Sequence, residues 1–153
     1  MGRSSGQDAH EPLLGFQFRV EVSGKTQCVG YFTEISGVGS ENEIVEHKAV
    51  VDGKEIIQKI PGRLKWSDVT LKRGITQDMS FWEWRQLVID GKVGDARASV
   101  SIVMLDRDYN DVSRWEFTRA WPSKLSGPTF KSDSNELGVE ELAIVHEGMT
   151  RKK

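Results

Sequence analysis

Trp115-Glu-Phe-Thr-Arg-Ala-Trp-Pro-Ser-Lys124 reads as a β-strand with one apolar face. Trp115, Phe117 and Trp121 fall at even spacing, which places their side chains on one side of an extended chain. Pro122 brings no N–H to a ladder, so the strand is expected to close there. His146-Glu-Gly148, near the chain end, adds no nucleophile, metal cluster or phosphate cradle to it. Large aromatics committed to a core, with no reactive groups beside them, point to a structural role.

The same period of two extends outward from this stretch. Phe16, Phe18, Val20 and Val22 alternate with Gln17, Arg19 and Glu21, a half-buried strand. Ser23-Gly-Lys-Thr26 supplies a turn, and a second strand runs to about residue 35 before Ser36-Gly-Val-Gly39 breaks it. Segments 43–51 and 55–60 flank Asp52-Gly53, a two-residue hairpin signal that needs positive φ, and Pro61-Gly62 is expected to end the excursion. Further strands are expected over 66–72, 98–105, 113–121 and 139–146. Over 78–90 the period changes: Phe81, Trp84, Leu87 and Val88 recur at helical spacing. Ser80 and Glu83 are spaced as a capping box, and Gly91 suits a left-handed stop. This is the one helix expected.

Strands closely spaced by turns, with a single short helix, predict a mainly β domain, an antiparallel barrel or sandwich over residues 13–149. A polar tail over 1–12, a short tail over 150–153 and a Ser/Gly/Pro-rich linker over 126–137 complete the chain. Ile102-Val-Met-Leu105 and Leu142-Ala-Ile-Val145 are apolar on both faces, so each needs cover from the helix or from another subunit.

The chain has 153 residues, enough for one core, and a net charge of -2 that calls for neither nucleic acid nor an anionic membrane. Its apolar runs are too short for a membrane-spanning helix. The single cysteine, Cys28, cannot form an internal disulfide, which fits assembly in a reducing cytoplasm. Ser23-Gly-Lys-Thr26 ends like a phosphate loop, but Arg19 stands where the first glycine is required. Asp106-Arg-Asp-Tyr-Asn-Asp111 opens like a calcium loop, yet Asp111 and Phe117 occupy the positions of the bending glycine and the bidentate glutamate. Cys28, His47 and His146 form no recognisable nucleophile or zinc pattern. No cofactor and no enzymatic activity are expected. The charged strand positions Arg19, Glu21, Asp68, Lys72 and Glu140 read as solvated surface or as the lining of an aqueous channel.

The segment ending Ala-Trp-Pro-Ser-Lys124, the late Glu147-Gly148, and Leu71-Lys-Arg-Gly74 followed by Phe81-Trp-Glu-Trp84 together resemble the inner-tube proteins of contractile tails. Phe16-Gln-Phe-Arg-Val20, Gly30-Tyr-Phe-Thr-Glu-Ile-Ser-Gly-Val38 and Pro61-Gly62 extend the likeness over nearly the whole chain. One departure falls at Lys48-Ala-Val-Val-Asp-Gly-Lys-Glu55, where family members often carry an acidic residue and a Gly-Gly pair. The resemblance implies a β subunit closing into six-membered rings that stack into a tube. It further implies contractile sheath and baseplate partners, and an effector protein or DNA as cargo. A phage tail and an injection system are both compatible with it. A monomeric ligand-binding β-barrel and an unrecognised hydrolase are the alternatives from other classes.

For an assembling subunit, the expected contact residues are Val50, Val51, Asp52 and Gly53 at the hairpin tip, Trp82 on the helix, and Val103 and Val145 on the doubly apolar strands. Apolar side chains at a hairpin tip are costly in water unless a partner covers them.

Overall fold

The structure, a computed structural model, describes residues 17–25, 29–127 and 138–153. The expected tail over 1–12, Phe16, Cys28 and most of the 126–137 linker lie outside the described residues. In chain order the elements are β1 (Gln17–Val22), β2 (Val29–Phe32), β3 (Glu34–Ser36), β4 (Ser40–Val51), β5 (Lys54–Trp66), β6 (Val69–Gly74), α1 (Ser80–Ile89), α2 (Val93–Ala96), β7 (Ala98–Leu105), β8 (Asp111–Ser126), β9 (Val139–Val145) and β10 (Gly148–Arg151).

Eight strands form one antiparallel path, β2-β1-β7-β8-β9-β6-β3, with β10 added to β8, while β4 and β5 pair only with each other. The long β8 is the seam. Its first part pairs with β7 and β10, and its last part with β9, so one strand serves two layers. The ends of the path, β2 and β3, are consecutive in the chain, and Thr33 between them donates its N–H to the Lys72 carbonyl at 3.0 Å. The domain is therefore mainly β and sandwich-like, curled toward a barrel without closing.

Alternation along each strand fills the space between the layers. Val20, Val22, Val100, Ile102 and Phe117 come from one side, and Val69, Leu71, Leu142 and Ile144 from the other. Helix α1 adds Phe81 and Trp84. The Trp84 indole N–H donates to the Ala96 carbonyl at 2.7 Å, so its polar atom is satisfied where water is absent. Gly91, at φ 81°, ends the helix region in the left-handed conformation expected of it.

The structure departs from sequence expectation at six places. Arg119 sits at φ 48° and the β7–β8 register shifts beside it, so one extra residue on β8 reverses the alternation. Phe117, Ala120 and Pro122 consequently point to the core, while Trp121 falls on the opposite parity and, half-buried, packs against the core from its margin. Pro122 does not end the strand, because a second register shift between Pro122 and Lys124 absorbs its missing donor. Pro61-Gly62 likewise lies inside β5, opposite an irregularity between Asn42 and Ile44. Helix α1 begins with no side-chain cap, Asp78 accepting the Ser80 N–H at 3.0 Å instead, and the one-turn α2 follows it, too short to show a period. Finally, Thr150 and Arg151, expected in a tail, pair with Glu116 and Trp115 in β10.

Candidate assembly surface

Residues 40–66 leave the body as a two-stranded ribbon, β4 and β5, of 12 and 13 residues. Its turn forms as the Asp-Gly pair requires, with Asp52 at φ 52° and Gly53 at φ 76°. In an antiparallel pair, residues directly opposite each other share a face. Val45 opposite Ile60, Ala49 opposite Ile56, and Val51 opposite Lys54 therefore mark one face. Ile44 opposite Pro61, Lys48 opposite Ile57, and Val50 opposite Glu55 mark the other. Neither face packs on the body: exposure reaches 74% at Val50, 66% at Ile44 and 58% at Ile57.

Isolated apolar surface residues are ordinary, but eight large aliphatics on one thin ribbon are not: Val45, Val51, Ile56 and Ile60 on the first face, Ile44, Val50, Ile57 and Leu64 on the second. A free two-stranded hairpin is marginal in water, so this ribbon lacks the cover that would hold it. Sequence reasoning found only Val50 and Val51. The wider signal was present in the adjacent apolar pairs Ile44-Val45 and Ile56-Ile57, since neighbours in a strand necessarily point to opposite faces.

The ribbon's root is fixed. The Ser67 N–H donates to the Gly39 carbonyl at 3.2 Å. A Cβ at Gly37, φ 82°, would fall 1.9 Å from the Asp68 carbonyl oxygen, so only glycine lets the two chains pass there. Trp66, the last residue of β5, packs against the His146 ring at 5.7 Å between centroids, and His146 meets Phe117 edge-on at 4.8 Å. Both imidazole nitrogens are buried without a hydrogen-bond partner. Burial pushes the His146 pKa below its ordinary value, while the backbone of Ser67 and Gly148 and the charge of Asp68 pull part of the way back.

The other expected contact residues stand differently. Val103 is fully buried within the subunit, its ladder neighbours Arg19 and Arg114 flanking it, so it is not available to a partner. Val145 is half-buried opposite Trp121. Trp82 is half-buried, and its indole N–H donates to Glu140 at 2.7 Å. Glu140, expected on a solvated or channel-lining face, is 3% exposed and pairs with the buried Arg73 at 3.0 Å. Arg73 also lies over the Phe32 and Phe81 rings and within 3.5 Å of Asp78, which ties α1 to β6 and β9. Burial would raise the Asp78 pKa, but the Ser80 hydrogen bonds and Arg73 together hold it below the usual value.

Among the described residues no group of His, Cys, Asp and Glu is placed to hold a metal ion. Asp106 instead closes its own loop, accepting the N–H groups of Asp108 and Asn110 at 2.9 Å. A groove of about 490 Å³ opens on the outer face of β1, β7 and β8, with Glu21, Ser101, Arg114 and Glu116 along it. Its charges compensate each other: Arg19 pairs with Glu21 at 2.8 Å and Arg114 with Glu116 at 3.3 Å.

Against known proteins, the family model described as T4-like virus tail tube protein gp19 matches residues 14–150. No curated protein matches the chain. Among solved structures, a chain of the PVC sheath–tube complex of an extracellular contractile injection system, in the extended state, is similar at a TM-score of 0.69 and 20% identity, covering 99% of each chain. A chain in the tube-terminating cap of the anti-feeding prophage gives 0.67 and 21%, covering 89% of this chain and 87% of the other. Hcp1 from Flavobacterium johnsoniae gives 0.51 and 14%, covering 88% and 94%. At these identities the likenesses establish a shared fold.

Proposed function

This chain belongs to the T4-like virus tail tube protein family and is a structural tube subunit, and we propose that its tube is the inner tube of a contractile injection system. Subunits close into six-membered rings, the rings stack, and the enclosed channel carries an effector protein. The observation that carries this reading is the β4–β5 ribbon, whose apolar side chains find no cover within their own chain. Copies of the same subunit supply that cover in a tube, and stacked rings also shield strand edges that would otherwise invite uncontrolled pairing. The contractile sheath surrounds the tube and a baseplate starts it. Assembly takes place in the cytoplasm, and the role is architectural, not catalytic.

The fold likeness to injection-system chains favours this setting. A phage tail conducting DNA is the second reading, favoured by the family model itself. A monomeric ligand-binding barrel has less support. The space between the layers is filled by Trp84, Phe81, Phe32 and Phe117, and the groove on β1, β7 and β8 is open to solvent rather than an enclosed cavity. Negative-stain microscopy of the full chain, alone at high concentration and with its sheath and baseplate proteins, tests the proposal. Stacked rings of six with a central channel are expected. A strict monomer under all these conditions overturns it.

A further inference from the structure

Where the ribbon joins the body, a titratable ring is packed like an apolar one. His146 follows β9, lies 5.7 Å from the Trp66 ring and meets the Phe117 ring edge-on at 4.8 Å. Phe117 belongs to the core and is 1% exposed, whereas Trp66 is the last residue of the ribbon. The imidazole is thus wedged between the two regions. Neither of its nitrogens reaches water or a hydrogen-bond partner.

A neutral imidazole carries one donor and one acceptor, and here both are unpaired. Uptake of a proton makes both nitrogens donors and adds a charge, and a buried charge with unmade hydrogen bonds is the costlier state. The charged groups nearby offset this only in part. Asp68, between β5 and β6, favours the charged ring, as does the backbone of Ser67 and Gly148, but burial outweighs them. Glu147 is taken by Arg119 of β8 at 2.6 Å. Lys65 and Glu116 adjoin Trp66 and Phe117 in their strands and so point to the opposite faces.

A charged ring is relieved by moving into water, and of its two neighbours Trp66 is the one free to yield. Phe117 is held by ladders to β7 on one side and β10 on the other. The ribbon's faces do not pack on the body, and the Ser67–Gly39 hydrogen bond joins its two legs to each other. We propose that His146 is a pH-sensitive clamp on the ribbon root: the uncharged ring holds Trp66 on the body, and the imidazolium turns out toward Asp68 and water and releases the root while the body stays folded. The released ring binds a proton more readily than the clamped one. The clamp therefore holds above the ordinary histidine pKa, about 6.5, and loosens as pH falls through and below it. For one proton the opening constant rises by up to about tenfold per pH unit. In a tube, which needs the ribbon at a fixed angle, this makes acid a signal for release, a consequence that rests on the tube reading above.

Hydrogen exchange read by mass spectrometry tests the clamp in the unassembled full chain. Segments 38–42 and 62–68 report the root, and β7 and β9 report the body, at pH 7.5, 6.5 and 5.5 after correction for the chemical exchange rate at each pH. His146→Phe keeps a ring in place and removes the proton site, with His146→Leu in its stead should that variant fail to fold. Trp66→Ala mimics the released root. Negative-stain microscopy of tubes formed at pH 7.5 and shifted to pH 5.5 reads the consequence for assembly.

In the wild type, root exchange is expected to accelerate by up to about tenfold between pH 6.5 and 5.5, with β7 and β9 unchanged. It should stay slow in His146→Phe and be fast at every pH in Trp66→Ala. Root exchange that ignores pH in the wild type, or that accelerates equally in His146→Phe, overturns the clamp. Equal acceleration in β7 and β9 marks global unfolding and overturns it too. Wild-type tubes are expected to come apart at pH 5.5 and His146→Phe tubes to persist; wild-type tubes that persist overturn the clamp's hold on assembly. A wild type without tubes at any pH overturns the tube reading alone, because the exchange measurement needs no tube.

Discussion

In the body of the subunit Val20, Val69 and Val100 are fully buried, whereas in the ribbon Val45, Val50 and Val51 range from 45% to 74% exposed. Both regions are antiparallel β-structure made of β-branched residues, with hydrogen-bonded ladders of similar regularity. The difference lies in what stands behind each face. The body curls one sheet path into two layers, so every inward side chain meets another, and α1 fills the gap between them. The ribbon has two faces and no second layer. A local pattern suited to strands thus produces stability in one place and an unsatisfied surface in the other. The first belongs to folding and the second to association.

The largest test of this contrast is Trp84→Ala. It removes a fully buried ring and strands the Ala96 carbonyl, at a cost of about 3–5 kcal/mol. Typical domains have about 5–15 kcal/mol in all. Soluble yield and the unfolding midpoint should both collapse; a wild-type midpoint would mean that α1 is not part of the core. Glu140→Ala should come next. Breaking one partner of a buried ion pair leaves Arg73 uncompensated, and such losses run to about 3–5 kcal/mol where no water reaches the charge. Asp78, 3.5 Å from Arg73, remains to soften it, so a midpoint shift smaller than that of Trp84→Ala is expected.

The junction between the two regions gives a smaller effect that depends on pH. Burial holds the His146 pKa below its ordinary value in the fold, so the unfolded chain takes up its proton more readily. The stability it contributes is present above its unfolded pKa, about 6.5, and declines as pH falls through and below it. The slope is at most about 1.4 kcal/mol per pH unit for one proton. Denaturant titrations at pH 7.5 and 5.5 should show the loss, and His146→Phe, which keeps the packing with Trp66 and Phe117, should remove this part of it. An unchanged pH dependence in that variant would show that His146 is not the responsible group.

Smallest in stability, and largest in assembly, is the ribbon tip. Val50→Ser with Val51→Ser should move the unfolding free energy by no more than about 0.5 kcal/mol, because both side chains are already in water. Tubes should nonetheless be shortened or absent by microscopy. A marked loss of stability with normal tubes would erase the contrast between the regions.

What the sequence determined by itself was local. The alternation along β1, the Asp52-Gly53 turn, the helical spacing from Phe81 to Val88 and the stop at Gly91 all depend on a few neighbouring residues and their backbone geometry. They could be read before any contact was known. Tertiary structure decided everything that depends on who stands opposite. Alternation says that a strand has two faces, but not which face has a neighbour. Val103, expected at an interface, is covered between Arg19 and Arg114, while Glu140, expected at a polar surface, is buried because Arg73 and Trp82 reach it from other elements. Arg119 shows the same limit within one strand. A single bulged residue, unmarked by glycine, reversed the parity of β8 and turned Trp121 away from the face it shares in sequence with Phe117. Strand faces are set by register and register by distant partners, so the ribbon's double exposure became visible only once the body had closed without it.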